Sequence, residues 1–422
     1  MTATITPAAR PFYGWRVVAA AFVLALFGWG FGFYGPPVFL HAIHESRGWP
    51  ISVISAAMTC HYLVGALTVA CLPSLHARFS IATVTLVAGL CLGFGFFGWA
   101  VAAEPWQLFL ATIASGIGWA ATSSAGINAI VAPWFERKRV AALGMAYNGA
   151  SIGGLVFSPL WVALIAWLTF PIAVGSTAVV MMVIVGLMSV LVFSRTPQSM
   201  HQAVDGDTPD DPPRQSVTAP WARPLPGRDL RRNRQWQTLT AAMALSLFAQ
   251  MGLVSHLFSM LVPALGDKPA GILMGAATGL AMAGRMVLPV IMPKGTDRRL
   301  AAACNYSMQI VGTFCLWAAN GTSVPQLIVG TLLFGAGIGN STSLPPLIAQ
   351  VEFTRSDVQR AIALMIATTQ AIYAFSPATL GVLRDISMAH GAGPGAAPVL
   401  FVLVGAMQIL AMLMMLAGRR TA

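Results

Sequence analysis

The chain has 422 residues, of which 57% are hydrophobic and only 9% charged, and its formal net charge is +11. A water-soluble domain has about a quarter of its residues charged, so this composition excludes a soluble enzyme or scaffold and predicts a polytopic membrane protein. The positive charge does not mark a nucleic-acid binder, because it lies in short breaks between long apolar runs; the glycine-rich stretches lack the Lys-Ser/Thr of a phosphate loop, and no metal-ligand cluster or nucleophile triad is present.

A bilayer crossing needs about 20 apolar residues, and twelve such runs follow one another. Residues 1–14 are expected to be a cytoplasmic N-terminus. Helix 1, residues 15–40, follows Arg10, is too long for the core of a cleavable signal peptide, and ends in Tyr34-Gly35-Pro36-Pro37. Helix 2 covers 51–75, and the turn His76-Ala77-Arg78 leads to helix 3 at 81–102. Helix 4 runs from Pro105 to Pro133, and a basic loop, Trp134 to Arg139, precedes helices 5 (140–167) and 6 (171–193). Residues 15–193 thus form one six-helix bundle.

Residues 194–236 differ in kind: they hold seven prolines, the acidic group Asp205, Asp207, Asp210 and Asp211, then Arg223, Arg228, Arg231, Arg232 and Arg234. So little apolar surface cannot offset the entropy of ordering, which predicts a mostly disordered cytoplasmic linker whose basic end lies on anionic lipid. Six more runs follow, at 237–265, 271–293, 300–319, 326–350, 359–383 and 398–416; they form a second bundle, 237–417, with a tail at 418–422. Of the 24 basic residues, Arg47, Lys268 and Arg384 are assigned to outer loops and Arg285 to the membrane, which leaves twenty on the inner side. By the positive-inside rule both termini are cytoplasmic, in a plasma membrane such as a bacterial inner membrane. The five cysteines all fall in apolar runs without metal-like spacing and read as small packing residues.

The second half repeats part of the first. Phe135, Arg137, Val140 and Phe157-Ser158-Pro159 return 218 positions later as Phe353, Arg355, Val358 and Phe375-Ser376-Pro377, and Gly116-Ile117-Gly118 returns as Gly337-Ile338-Gly339. Repetition on matching helices predicts two bundles related by a pseudo-twofold axis, with a site between them near the bilayer midplane.

One residue breaks the apolar pattern where it costs most. Arg285 lies inside 271–293, and a central arginine costs ~2.5–3.5 kcal/mol even on the forgiving insertion scale. No Asp or Glu lies within an apolar run at comparable depth, so the natural partner is an anion that arrives and leaves. Alternatively, Arg285 reaches the inner water layer along its own stem or braces a helix end.

Six plus six helices around a long middle loop resemble the major facilitator superfamily. Tyr13-Gly14-Trp15, the run from Trp134 to Gly144, and Gly149-Ala150-Ser151-Ile152-Gly153-Gly154 with Pro159 resemble its monocarboxylate-transporter and oxalate:formate-antiporter branch. The resemblance implies an all-α membrane protein of twelve helices, with no cofactor and no enzymatic activity, that moves a small organic anion by alternating access. It also implies that Arg285, at the position of the branch's helix 8 arginine, engages the substrate carboxylate. An aspartate one turn earlier in proton-coupled members is here Ala281, and where the antiporter has a second cation in helix 11 this chain offers only Gln370 and Tyr373. Of the superfamily's charged turn after helix 2, Ala77 and Ser80 replace the usual Asp and Gly and Arg78 is kept; after helix 8, Pro293 takes the Asp position before Asp297, Arg298 and Arg299.

Candidate path residues are Tyr34, Asn128, Tyr147, Asn148, Asn340, Gln370 and Tyr373, although interhelical hydrogen bonding and aromatic packing are equally physical uses for them. His61 and His256, the histidines well inside apolar runs, are candidates for proton coupling. Arg78, Arg137, Arg139, Arg298, Arg299 and Arg355 are candidate gating-loop cations. Expected partners are a small monocarboxylate, lipid and, if coupled, protons, with a monomeric transporter and no nucleic acid. The rival readings are an exporter of drugs or other neutral solutes, and a receptor that binds without moving its ligand.

Overall fold

The computed structural model describes residues 12–206, 227–291, 296–353 and 357–419; Arg10, Pro293, Arg355, Arg223 and the acidic residues Asp207, Asp210 and Asp211 lie outside them. The first half comprises α1 (Gly14–Arg47), α2 (Ile51–Arg78), α3 (Ile81–Val101), α4 (Pro105–Trp134), α5 (Arg139–Leu168) and α6 (Phe170–Phe193). The second comprises α7 (Arg234–Leu265), α8 (Asp267–Ile291), α9 (Arg298–Ala318), α10 (Val324–Glu352), α11 (Val358–Tyr373 continued by Ser376–Ala389) and α12 (Pro398–Ala417). Helices satisfy every backbone group within the segment, which lipid demands.

Eleven of these helices are long and apolar enough to cross a bilayer; α9 is too polar to count by composition. Three of its polar residues are buried in the bundle: Asn305 donates to the Gly337 carbonyl, Gln309 to Gln250 Oε1, and Thr313 to Gln408 Oε1. Polar groups there hold helices together.

The repeat seen in the sequence has a packing counterpart. Gly116 and Gly118 of α4 lie against the backbones of α2 and α3, and Gly337 and Gly339 of α10 lie against α9 and α8. In each half the fourth helix is wedged between the second and third, which only a missing side chain permits. Each half also has a glycine contact between its first and fifth helices: Gly30 meets Phe157, and Gly252 meets Leu380.

The halves meet along three seams, α5 with α8, α2 with α11, and the latter part of α1 with α7. All three lie toward the face opposite the termini. Gly271 and Gly275 of α8 rest on Val162 and Pro159 of α5, Gly381 of α11 rests on Ser55 of α2, and the His41 and Phe258 rings stand 5.5 Å apart. Toward the termini the seam opens: Gly144, two turns below Ser151 on the same face of α5, has nothing within 4 Å of where a side chain would begin.

The linker departs from its expected disorder at both described ends. After α6 the chain turns back, and Gln202 Oε1 accepts the Tyr13 amide at 2.8 Å. Asp205 accepts the amides of Glu136, Arg137 and Lys138 at 3.1, 2.8 and 3.1 Å. It is only 4% exposed, covered by its immediate neighbours although it lies in the surface layer. Burial pushes this carboxyl up, but the three amides and the Arg137 charge outweigh burial and hold it below the ordinary carboxylate range. Nearer α7 a short helix, Gly227–Arg232, precedes Asn233, whose side chain caps α7.

Arg384, assigned from the sequence to an outer loop, instead lies inside α11 and is buried; it donates to Ser259 Oγ and to the Pro394 carbonyl. Arg299, a candidate gating cation, is also buried: it pairs with Glu352 and bonds Thr238 Oγ1 and the carbonyls of Gln235 and Met415, tying α7, α9, α10 and α12 together.

These ties can be tested one at a time. Glu352→Ala leaves the Arg299 guanidinium buried and uncompensated, so it should destabilise the second half by about 3 kcal/mol, seen as a marked fall in thermal midpoint of the detergent-solubilised protein. Because the Asp205 carboxyl is held low, its contribution is complete above the unfolded-state value and lost as pH falls through the lower folded value. Limited proteolysis between Ser194 and Gly206 should therefore stay slow from neutral pH to below about pH 4, whereas Asp205→Ala should be cut rapidly at neutral pH.

Candidate substrate site

Along α8, Gly271, Gly275, Thr278 and Arg285 recur at helical spacing and share the face turned to α5. Arg285 therefore points into the seam between the halves and away from lipid. Its Nη2 donates to Ser151 Oγ of α5 at 3.4 Å, while its Nε is buried without a partner. Among the described residues no carboxylate pairs with it. Ser151 is twelve residues from the start of α5, roughly 18 Å along the helix, so the cation sits well inside the membrane layer.

Tyr34 approaches the same place from α1, where the helix bends just ahead of Pro36 and Pro37. Its ring and the Thr278 methyl group meet at Gly154 of α5, where any side chain would collide with both. The Tyr34 hydroxyl is near enough to interact electrostatically with the Arg285 guanidinium. On the side away from the termini, Phe33, Tyr34, Val254, Met274, Thr278 and Phe334 enclose a cavity of about 20 Å³, room for little more than one water. The seam opens instead toward the termini, at Gly144.

The other predicted residues divide into those near this point and those elsewhere. Asn340 of α10 is buried, with its Nδ2 3.5 Å from where a side chain on Gly284 would begin, next to Arg285. Asn148 lies one turn below Ser151 on α5, on the face that lines the opening. Tyr373 packs with Tyr62, Met251 and Phe33, one layer from Tyr34, and Gln370 is half-buried one turn before it. Asn128 accepts a hydrogen bond from Arg139 at 3.0 Å, and Tyr147 donates to the Ser124 carbonyl at 3.0 Å; both line the first half nearer the termini.

Neither histidine faces the seam cation. His61 is fully buried among Phe96, Trp99 and Trp119, with Nδ1 on Ser115 Oγ at 2.9 Å. His256 is fully buried, with Nε2 on the Pro377 carbonyl at 3.0 Å. Of the gating-loop cations, Arg78 lies over the Phe79 ring, Arg137 lies beside Asp205, and Arg298 donates to Leu347 O. The described contacts of these cations stay within one half.

Sequence reasoning did not single out Ser151 or Thr278. The available signal was positional: Thr278 stands two turns before Arg285 on a stripe of small residues, and Ser151 lies in the glycine-rich run of helix 5.

The Major Facilitator Superfamily model matches residues 17–377. A relative named MFS-type transporter 1, from Ophiocordyceps sp. (strain BCC 1869), is 25% identical over 353 residues, covering 81% of this chain and 72% of that protein. Among solved structures, the nucleoside transporter NupG superposes with a TM-score of 0.71 at 14% identity, covering 97% of this chain and all of that one. A D-xylose-proton symporter superposes at 0.72 and 14%, covering 96% and 97%. A bacterial homologue of the human lysosomal transporter Spinster, in an inward-facing and occupied conformation, superposes at 0.68 and 15%, covering 98% of each chain. These likenesses establish the fold, and the family match over most of the chain establishes the lineage: the protein belongs to the major facilitator superfamily and is a multi-pass membrane transporter.

Proposed function

We propose that the protein is a secondary transporter for a small organic anion, a monocarboxylate, held by Arg285 between the two halves. The observation that carries this reading is the guanidinium on the α5–α8 seam, bonded to one serine hydroxyl and facing no fixed carboxylate among the described residues. A guanidinium offers five N–H donors in a planar fork that matches a carboxylate. Ser151, Tyr34 and Asn340 surround it with groups suited to the rest of a small polar ligand.

One charge suits one carboxylate. Two fully buried arginines are committed elsewhere, Arg384 to Ser259 and the Pro394 carbonyl and Arg299 to Glu352, and add no second cation at the site. Ala281, one turn before Arg285, is buried and cannot titrate, and both membrane histidines are enclosed within single halves. That arrangement favours anion exchange or facilitated movement over histidine-based proton coupling. With both termini cytoplasmic, as the charge distribution implies, the conformation seen here is accessible from the cytoplasm.

Arg285→Ala should abolish carboxylate uptake into proteoliposomes without changing the yield or monodispersity of the purified protein. Arg285→Lys, which keeps the charge but loses the fork, should bind about tenfold more weakly. Full uptake by the alanine variant refutes the proposal. Ser151→Ala removes one hydrogen bond and should raise the apparent KM by about three- to tenfold with little change in maximal rate. A thermal-shift screen of small carboxylates on the parent and on Arg285→Ala identifies the substrate: it stabilises only the parent.

A further inference from the structure

Helix α2 begins at Ile51 behind Pro50, which offers no side-chain acceptor to the first amides of the helix. The acceptor comes from the other half: Asp385 Oδ2 of α11 takes the Ser52 amide at 3.0 Å. A carboxylate so placed satisfies an N–H that the helix itself leaves without a partner, and it meets the positive end of the helix dipole. Two more contacts continue down the seam. Thr59 Oγ1 accepts the Ala378 amide at 3.1 Å, and Gly381 lies so close to Ser52 and Ser55 that any side chain there would force the helices apart. On the neighbouring seam Asp267 stands 3.5 Å from His41.

The carboxylates toward the termini are used differently. Asp205 holds the loop after α4 in its own half. Glu352 pairs with Arg299, and Asp297 caps α9 and bonds Arg419, all within the second half. The turn after α2, from His76 to Ser80, contains no carboxylate.

We propose that Asp385 is the latch residue of the transport cycle and biases the resting protein toward the conformation closed on the face opposite the termini. Opening that face strips α2 of the cap that Asp385 supplies. The turn after α2 has no acid with which to make an equivalent contact on the terminus-bearing face, and Asp205, Asp297 and Glu352 already bond within their own halves. This inference requires alternation between two faces but not that the substrate is an anion, so it stands or falls apart from the role of Arg285.

The test uses the full chain with its native cysteines replaced and spin labels at Ser46→Cys and Thr322→Cys, two exposed positions on the face opposite the termini, one in each half. Pulsed electron resonance in lipid nanodiscs then reads the fraction of molecules open on that face. Asp385→Ala should raise the open-to-closed ratio about fivefold, the worth of one helix cap. Asp385→Asn keeps the shape and loses the charge; it should raise the ratio about two- to threefold, and it decides the matter if the alanine variant does not assemble. Asp297→Asn, which alters a carboxylate bonded within one half, should leave the distances unchanged. Unchanged distances in both Asp385 variants, or an equal shift in Asp297→Asn, overturn the proposal.

Discussion

The rest of the molecule is arranged around one charge that no carboxylate neutralises among the described residues. Arg285 projects from the second half onto a serine of the first, and a single neutral hydrogen bond replaces little of the hydration that a guanidinium gives up. The guanidinium is half-buried and the seam opens toward the termini, which leaves it a route to water. Closing that side removes the water, and the charge then needs a counter-ion or bears the full penalty of burial. If the cost is roughly 3 kcal/mol, as for an arginine at mid-membrane, the empty closed state is disfavoured by about two orders of magnitude. On the proposed reading, a bound carboxylate removes that penalty, which links occupancy to movement without any special signalling element.

That logic works only if nothing else in the seam competes for the cation or the anion. Several buried polar groups of the second half meet this condition by pairing inside it. Gln250, Gln309, Ser341 and Asn305 form a chain across α7, α9 and α10, Thr313 bonds Gln408, and Arg299 is held by Glu352. Polar bonds of this sort make each bundle stiff. Between the bundles the contacts are mostly glycine on small side chains, which separate and reform with little polar cost. The exceptions besides the Arg285–Ser151 bond are the carboxylate contacts of Asp385 and Asp267 and the bond from the Ala378 amide to Thr59 Oγ1, all toward the face that is shut.

Hydropathy makes the helices legible because lipid leaves the backbone no alternative, and Arg285 is legible because a permanent charge cannot hide in an apolar run. Its partners are not. Ser151 and Thr278 are ordinary residues until two helices from different halves are placed side by side. His61 and His256 show the converse: an apolar run tells that a histidine is buried but not toward which neighbour, and both turn inward to a single bundle. Arg384 reads as a loop residue because the last turn of α11 is polar, although its guanidinium finds a hydroxyl and a carbonyl and the helix continues to Ala389. The linker reads as mostly disordered because composition averages over it: a composition that forbids a core does not forbid one aspartate from bonding three consecutive amides.

The wall opposite the cation sets what else the site can accept. Phe33, Val254, Met274 and Phe334 enclose the far side of the cavity and offer no hydrogen bond from their side chains. The cavity holds little more than one water, so a substrate held by Arg285 and Ser151 would extend toward the terminus-bearing side, with only its near end meeting this apolar surface. A second carboxylate turned toward that surface would find no partner there, and an unpaired ion in such surroundings costs far more than one good hydrogen bond returns. Discrimination between one and two carboxylates would then come from what the wall refuses and not from an added contact for the preferred ligand, which is the simpler way to build specificity into a site with a single charge.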